Sequence, residues 1–203
     1  MQILYPSRVS IQQYLQKIPD PDWCRPDGCP QCQACRPLIA HGFYCRTLVD
    51  VAFDDTIPVR RYLCRLCKRT VSLLPSFALP YLRFSLAVIS LFLVARLLAG
   101  RSLREAAGVA AQANMPYQRG QFWIRRFQKQ AAALCAALAN LTAVMPSSDF
   151  LTRALHMLEA IGWMAAHRFL FAQLRMHLLG WPRFLIPHGC RVGFPAAEPS
   201  PGS

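Results

Sequence analysis

Acidic side chains are scarce in this chain: ten Asp and Glu stand against 23 Lys and Arg in 203 residues, a formal net charge of +13. Beyond position 130 only Asp149, Glu159 and Glu198 remain. The three convergent carboxylates of a two-metal nuclease or strand-transfer centre are therefore not supplied. A Ser-His-Asp order, a glycine-rich phosphate loop and a His-Glu-x-x-His motif are missing as well, which leaves no enzyme reading. Long apolar runs are also absent. Phe84–Ala95 is closed by Arg83 and Arg96 and supplies about half of the ~20 residues that a spanning helix needs. The uncharged stretch Gln130–Ser148 is longer, but it is mostly Ala and contains Gln130, Asn140 and Thr142. The opening residues, Met1 to Arg8, have neither the basic nor the apolar region of a secretory leader. The expected compartment is thus a reducing cytoplasm, with a membrane-associated helical protein kept as an alternative.

What is present is a hydrophobic fraction of 54%, enough for a real core, and a basic charge that is unevenly placed. Residues 71–130 carry eight basic side chains and one acidic one, and Glu105 is the only acid between Asp55 and Asp149. A large partner of such a segment should be anionic, nucleic acid before phospholipid.

Nine cysteines in a reducing compartment favour metal over disulfide. Cys29-Pro-Gln-Cys32 and Cys64-Arg-Leu-Cys67 are two Cys-x-x-Cys pairs with 31 residues between them. A two-residue gap lets one tight turn present two thiolates to one ion, so two such turns complete a tetrahedral Zn²⁺ shell with no open position for water. Cys32-Gln-Ala-Cys35 has the same spacing, so Cys35 could replace Cys29 as a ligand. His41, nine residues after Cys32, is a further alternative; beside Gly42 it reads more simply as a polar residue near a hairpin turn. Cys24, Cys45, Cys135 and Cys190 have no partner at ligand spacing and read as unpaired thiols, and His156, His167, His177 and His188 form no metal spacing.

The pattern along the chain predicts an α+β protein: a small N-terminal β zinc ribbon followed by an all-α helix-turn-helix bundle. Residues 1–28 read as a lead-in, a short strand or helix, and a Pro- and Asp-rich connector. In the ribbon, 29–78, short strands are expected at Leu38–Tyr44, Arg46–Phe53, Ile57–Leu63 and Thr70–Leu74. The helical region, 81–145, opens with a helix from Leu82 to Ala99, stopped by Gly100. A second helix starts at the capping box Ser102-Leu-Arg-Glu105 and runs to about Gln112. A third follows Asn114-Met-Pro116 and extends to about Val144. The C-terminal part, 149–181, is expected as one helix from Phe150 to Leu179, and 182–203 as a flexible tail.

A leading helix followed by two helices across a short turn is the plan of a helix-turn-helix, whose last helix lies in the major groove. On the third helix Gly120, Trp123, Ile124 and Phe127 form one apolar stripe. The opposite side carries Gln118, Gln121, Arg125, Arg126 and Lys129, side chains suited to base edges and phosphates. Phe122 falls on the same side, where it could touch a thymine methyl or pack against the C-terminal helix.

Cys29-Pro-Gln-Cys32, His41-Gly-Phe-Tyr44, Arg61-Tyr-Leu-Cys-Arg-Leu-Cys-Lys-Arg-Thr70 and Ser72-Leu-Leu-Pro-Ser-Phe77 together resemble the N-terminal zinc-ribbon region of bacterial insertion-sequence transposases. The likeness is greatest to a small bacterial transposase-like family of unknown function that pairs this ribbon with a helix-turn-helix, and it covers about residues 25–130. The resemblance implies structural zinc at Cys29, Cys32, Cys64 and Cys67 and DNA as the ligand, in a regulator or mobile-element protein without its own catalytic core. One departure stands out: such ribbons usually place Gly or Asn after the second cysteine of each knuckle, whereas here Gln33 and Lys68 stand there, and left-handed backbone costs Lys more. A zinc-organised interaction module is the second reading. Leu151, Leu155, Leu158, Gly162 and Ala165 or Ala166 recur at helical spacing, so the C-terminal helix is expected to pack back on the third helix or on a second copy, and a homodimer would match a two-fold DNA site.

Overall fold

The computed structural model of the chain describes residues 1–5, 10–16, 25–142 and 149–180. Within them a four-stranded sheet and six α-helices form a mixed α+β fold. The sheet order is β1-β4-β3-β2. Strand β2 (Leu38–Asp50) pairs antiparallel with β3 (Phe53–Cys64) across the two-residue turn Val51-Ala52. Strand β4 (Thr70–Pro75) returns antiparallel along β3, and β1 (Gln2–Tyr5) adds in parallel to β4.

Two strand expectations change. The segments expected at Leu38–Tyr44 and Arg46–Phe53 are one strand, β2, and the hairpin turn lies at 51–52 rather than beside His41. Gly42, at φ +77°, instead takes the register shift between Ala40 and Phe43. A bulge absorbs one residue and bends the strand without ending it, so the glycine marks a bulge and not a turn.

Residues 1–28 hold more than a connector. Strand β1 completes the sheet, and helix α1 (Ile11–Gln16) buries Ile11 and Tyr14 against Leu48, Ile57, Val59 and Leu74. The Tyr14 hydroxyl donates to the Pro58 carbonyl at 2.7 Å, and its ring meets Phe77 edge-on at 5.7 Å. Residues 17–24, including Cys24, lie outside the described residues.

Helix α2 (Leu86–Leu93) begins later than the expected Leu82, because the Ser85 hydroxyl accepts from the Val88 N–H and caps it. It continues as a π-helical turn, Val94–Leu98, and Gly100 at φ +65° ends it as expected. Helix α3 (Leu103–Val109) starts on the predicted capping box, with Ser102 and Glu105 bonded reciprocally. It stops short of Gln112, since Ala111 turns left-handed at φ +55°. Helix α4 (Tyr117–Leu138) follows Pro116.

The predicted stripe on α4 is buried: Trp123 stands edge-to-face with both Phe84 (4.9 Å) and Phe92 (5.3 Å). Gly120 is required there, because a Cβ would sit 2.7 Å from Phe92 Cζ. The C-terminal stretch is two helices rather than one. Gly162 at φ +86° separates α5 (Phe150–Ile161), capped by Asp149, from α6 (Trp163–Ala172). Helix α4 ends at Leu138, short of the expected Val144, and the chain turns at 139–142; residues 143–148 and the tail from 181 onward lie outside the described residues.

Sheet and helices are joined at the hairpin tip. Val49 N–H donates to the Arg83 carbonyl and Ser85 N–H to the Val49 carbonyl, both at 2.8 Å. Gln112 Nε2 reaches the Asp50 carbonyl, and the Ser85 hydroxyl bonds the Asp50 carboxylate.

His167 on α6 is fully buried, and neither ring nitrogen has a partner among the described residues. Burial, and then the neighbouring His177, press its pKa down to about 3. His177 is lowered to about 4, chiefly by burial, with Arg126 and Arg46 adding to the effect against the Pro80 carbonyl. An unfolded histidine takes up its proton near pH 6.5, whereas the folded chain refuses it until much lower pH. Stability is therefore full above about pH 6.5 and is lost as pH falls toward 4, by about 2 kcal/mol per histidine between pH 7 and 5. Replacing His167 with Leu should remove about half of the histidine contribution, read as the difference between wild type and variant in urea denaturation at the two pH values.

Candidate metal centre

The two Cys-x-x-Cys segments fold into two matching turns. Cys29 N–H donates to the Ala34 carbonyl and Gln33 N–H to the Cys29 carbonyl; thirty-five residues on, Cys64 N–H donates to Arg69 and Lys68 N–H to Cys64 in the same pattern. The flanking pairs match too, Gly28 with Cys35 and Leu63 with Thr70. Gln33 (φ +57°) and Lys68 (φ +56°) are both left-handed, so the two positions without Gly or Asn adopt the knuckle backbone all the same. An L-residue pays roughly 1–2 kcal/mol for that conformation.

The turns bring the four predicted sulfurs together, every Sγ within 4.8 Å of the others. Cys29–Cys67 and Cys32–Cys64 are each 3.7 Å apart. A tetrahedron of thiolates at the Zn–S distance of about 2.3 Å has an edge of about 3.8 Å, whereas a disulfide needs about 2.05 Å. The donor set and its spacing thus suit a tetrahedral ion such as zinc, and cysteine sulfurs would fill all four tetrahedral positions.

Electrostatics point the same way. Burial acts to raise the Cys64 thiol, but N–H groups of Cys67 and Leu66, with the Cys67 and Cys32 side chains, outweigh it and hold the pKa down to about 7. Cys67 shows the opposite outcome. The Arg69 N–H lowers it, yet burial and the Cys64, Cys29 and Cys32 side chains push it up to about 11. The cluster gives up one proton readily and retains another for want of positive charge, which a bound cation would supply.

Cys35 is exposed and sits in the bridge to Gly28, beyond the first turn and outside the cluster. His41 is exposed on β2 and is not in the cluster either. Cys45 is an exposed free thiol, while Cys135 is buried and donates to the Phe150 carbonyl. What the spacing does not reveal is the packing beneath the site: Cys29 and Cys64 are buried with Leu38, Tyr62, Val71 and Leu73, and the Met1 amino group donates to the Thr70 carbonyl at 2.9 Å.

The residues singled out on α4 separate into two groups. Gln118, Arg125 and Lys129 are exposed, and the half-buried Gln121 donates to the Tyr117 hydroxyl at 3.0 Å. Arg126 is turned onto the chain itself. Its Nε donates to the Leu179 carbonyl at 2.6 Å, a terminal nitrogen donates to the Gly180 carbonyl, and the guanidinium stacks 5.7 Å from the Phe122 ring. Sequence periodicity placed Arg126 with its neighbours because residues 179–180 are too distant in the chain to enter a helical pattern.

A family model described as Domain of unknown function (DUF6431) matches residues 29–107, from the first cluster cysteine into α3. No curated protein and no solved structure matches the chain. Among the described residues, no helix is long and apolar enough to cross a membrane.

Two outcomes follow for the purified chain. Metal analysis should find one ion per chain, lost in Cys64→Ser and retained in Cys35→Ser. At position 68, thermal or chelator-challenged stability should rank Gly above Lys above Val, with Lys68→Gly gaining up to about 1 kcal/mol, because glycine tolerates positive φ and a β-branched side chain does not.

Proposed function

We propose that the chain is a DNA-binding protein in which structural zinc at Cys29, Cys32, Cys64 and Cys67 organises a zinc-ribbon-like sheet beside a helix-turn-helix formed by α3 and α4. The observation that carries this reading is the exposed side of α4. Gln118, Arg125 and Lys129 line it, in a segment whose single acid, Glu105, is engaged in its own helix cap. Amide and guanidinium groups on one helix face can read base edges, and lysine adds phosphate attraction. The resemblance to transposase N-terminal regions supports the same ligand, and the scarcity of carboxylates supports a binding role over a nuclease role.

The zinc contributes by folding rather than chemistry. With four thiolates around it there is no site for an activated water, so its part is to close the two turns and fix the sheet on which the helices dock. A cytoplasmic site of action and a two-fold assembly on DNA belong to the same reading.

A mobility-shift or anisotropy titration of the metal-loaded chain with duplex DNA tests it. Affinity should fall by roughly tenfold or more between 50 and 200 mM salt, since each neutralised phosphate contributes a slope of about −0.9. Arg125→Ala with Lys129→Ala should weaken binding, and Cys64→Ser should abolish it together with the metal. Salt-insensitive self-association with no DNA affinity would instead identify an interaction module.

A further inference from the structure

Two arginines that the helical pattern leaves aside meet on one aromatic ring. The Arg83 guanidinium lies 5.1 Å and that of Arg119 5.9 Å from the centroid of Phe84. The first comes from the segment joining sheet to helices, the second from the first turn of α4. Both side chains are exposed, and neither has a carboxylate partner among the described residues. Asp50, next in the chain to the Val49 that bonds Arg83 and Ser85, is itself bonded to the Ser85 hydroxyl.

The ring they share is fixed. Phe84 is buried, stands edge-to-face with Trp123, and pairs through its backbone with Val49. Arg46 donates to the carbonyls of Leu79 and Leu82 and so ties down the loop that delivers Arg83. A guanidinium stacked on a rigid ring keeps its N–H fork free and loses little rotamer freedom when it binds an oxyanion. Arg119 also follows Gln118 by about 100° around α4. It therefore stands at the flank of the side that carries Gln118, Arg125 and Lys129, where a contact to the nucleic-acid backbone belongs.

We infer that Arg83 and Arg119, stacked on Phe84, form a phosphate clamp that grips the DNA backbone beside the reading side of α4. The inference rests on the DNA-binding reading and adds to it a second contact, of which Arg83 comes from outside the two helices of the motif and Arg119 from the start of α4. It also replaces Arg126, whose guanidinium is committed to residues 179 and 180, as the arginine beside Gln118 and Gln121.

The test uses the metal-loaded full chain and two duplexes of unrelated sequence, with anisotropy read from 50 to 200 mM NaCl. In Arg83→Gln/Arg119→Gln, affinity should fall roughly tenfold or more on both duplexes by the same factor. The salt slope should shrink by about 2, close to 0.9 for each phosphate released. Gln118→Ala should change the ratio between the duplexes and leave the slope alone. Arg83→Lys/Arg119→Lys guards against misfolding: it should keep the slope and lose several-fold in affinity, because the planar stack is lost while the charge remains. Wild-type binding with an unchanged slope in the Gln pair overturns the clamp and leaves the DNA reading standing. A wild type that binds neither duplex overturns both, as does a chain that binds only anionic vesicles or an acidic protein.

Discussion

The structure depends on four sulfurs held about a tetrahedral edge apart at the base of one hairpin. The turns that carry them both sit at the open end of the β2–β3 ladder, opposite the hairpin tip, so a single ion would close the chain between Cys32 and Cys64 and fix the start of β2 against the end of β3. Closing a loop of some thirty residues removes conformational freedom from the unfolded chain. The gain matters here because the strands bury little on their own: much of β2 from Ala40 to Thr47 is exposed or half-exposed. The apolar cluster under the sulfurs is small, with Leu38, Tyr62, Val71 and Leu73 around Cys29 and Cys64. Without the cation the same thiols would be four polarizable groups competing for protons, a poor centre for a core.

From that base the hairpin transmits position to the helices. At its far end Val49 exchanges backbone hydrogen bonds with Arg83 and Ser85, and the Ser85 hydroxyl both bonds the Asp50 carboxylate and caps α2. Helix α2 in turn packs Phe92 against Gly120 and Trp123 of α4. The path from sulfur cluster to α4 thus runs through a ladder, a cap and an aromatic contact. A change at the cluster is expected to be felt at α4 through the registry of these contacts and not through charge.

Local signals in the sequence were legible where local physics decides. The Cys-x-x-Cys spacing, the Ser102–Glu105 box, Gly100 as a helix stop and the Gly120–Trp123–Phe127 stripe all correspond to contacts made within a few residues or on one helix face. Failures occurred where distant chain segments decide. The lead-in reads equally as strand or helix, and only the edge that β4 offers makes Gln2–Tyr5 a strand. Gly42 signals backbone freedom, and only the pairing with β3 makes it a bulge. Gly162 interrupts an apolar period that continues on both sides of it, so periodicity alone joins α5 to α6. Of the candidate site residues, the four cysteines come together because spacing encodes their geometry. The side of α4 was only partly legible, because what covers Arg126 arrives from more than fifty residues away.

That last case bears on how a basic chain should be read. The net charge of +13 invites every arginine to be assigned to a partner, yet several are spent inside the fold. Arg46 serves the carbonyls of Leu79 and Leu82, Arg126 those of Leu179 and Gly180, and the buried Arg60 lies over the rings of Phe43 (4.7 Å) and Tyr62 (5.6 Å). A guanidinium is well suited to such work, being planar, weakly hydrated and rich in donors. In a chain with ten acids it finds carbonyls and aromatic faces more often than carboxylates. The charge that matters for an anionic partner is what remains after these internal bonds are made. Among the described residues it includes Arg83, Arg119, Arg125 and Lys129, around one end and one side of α4, and also exposed cations of the sulfur turns such as Arg65, Lys68 and Arg69.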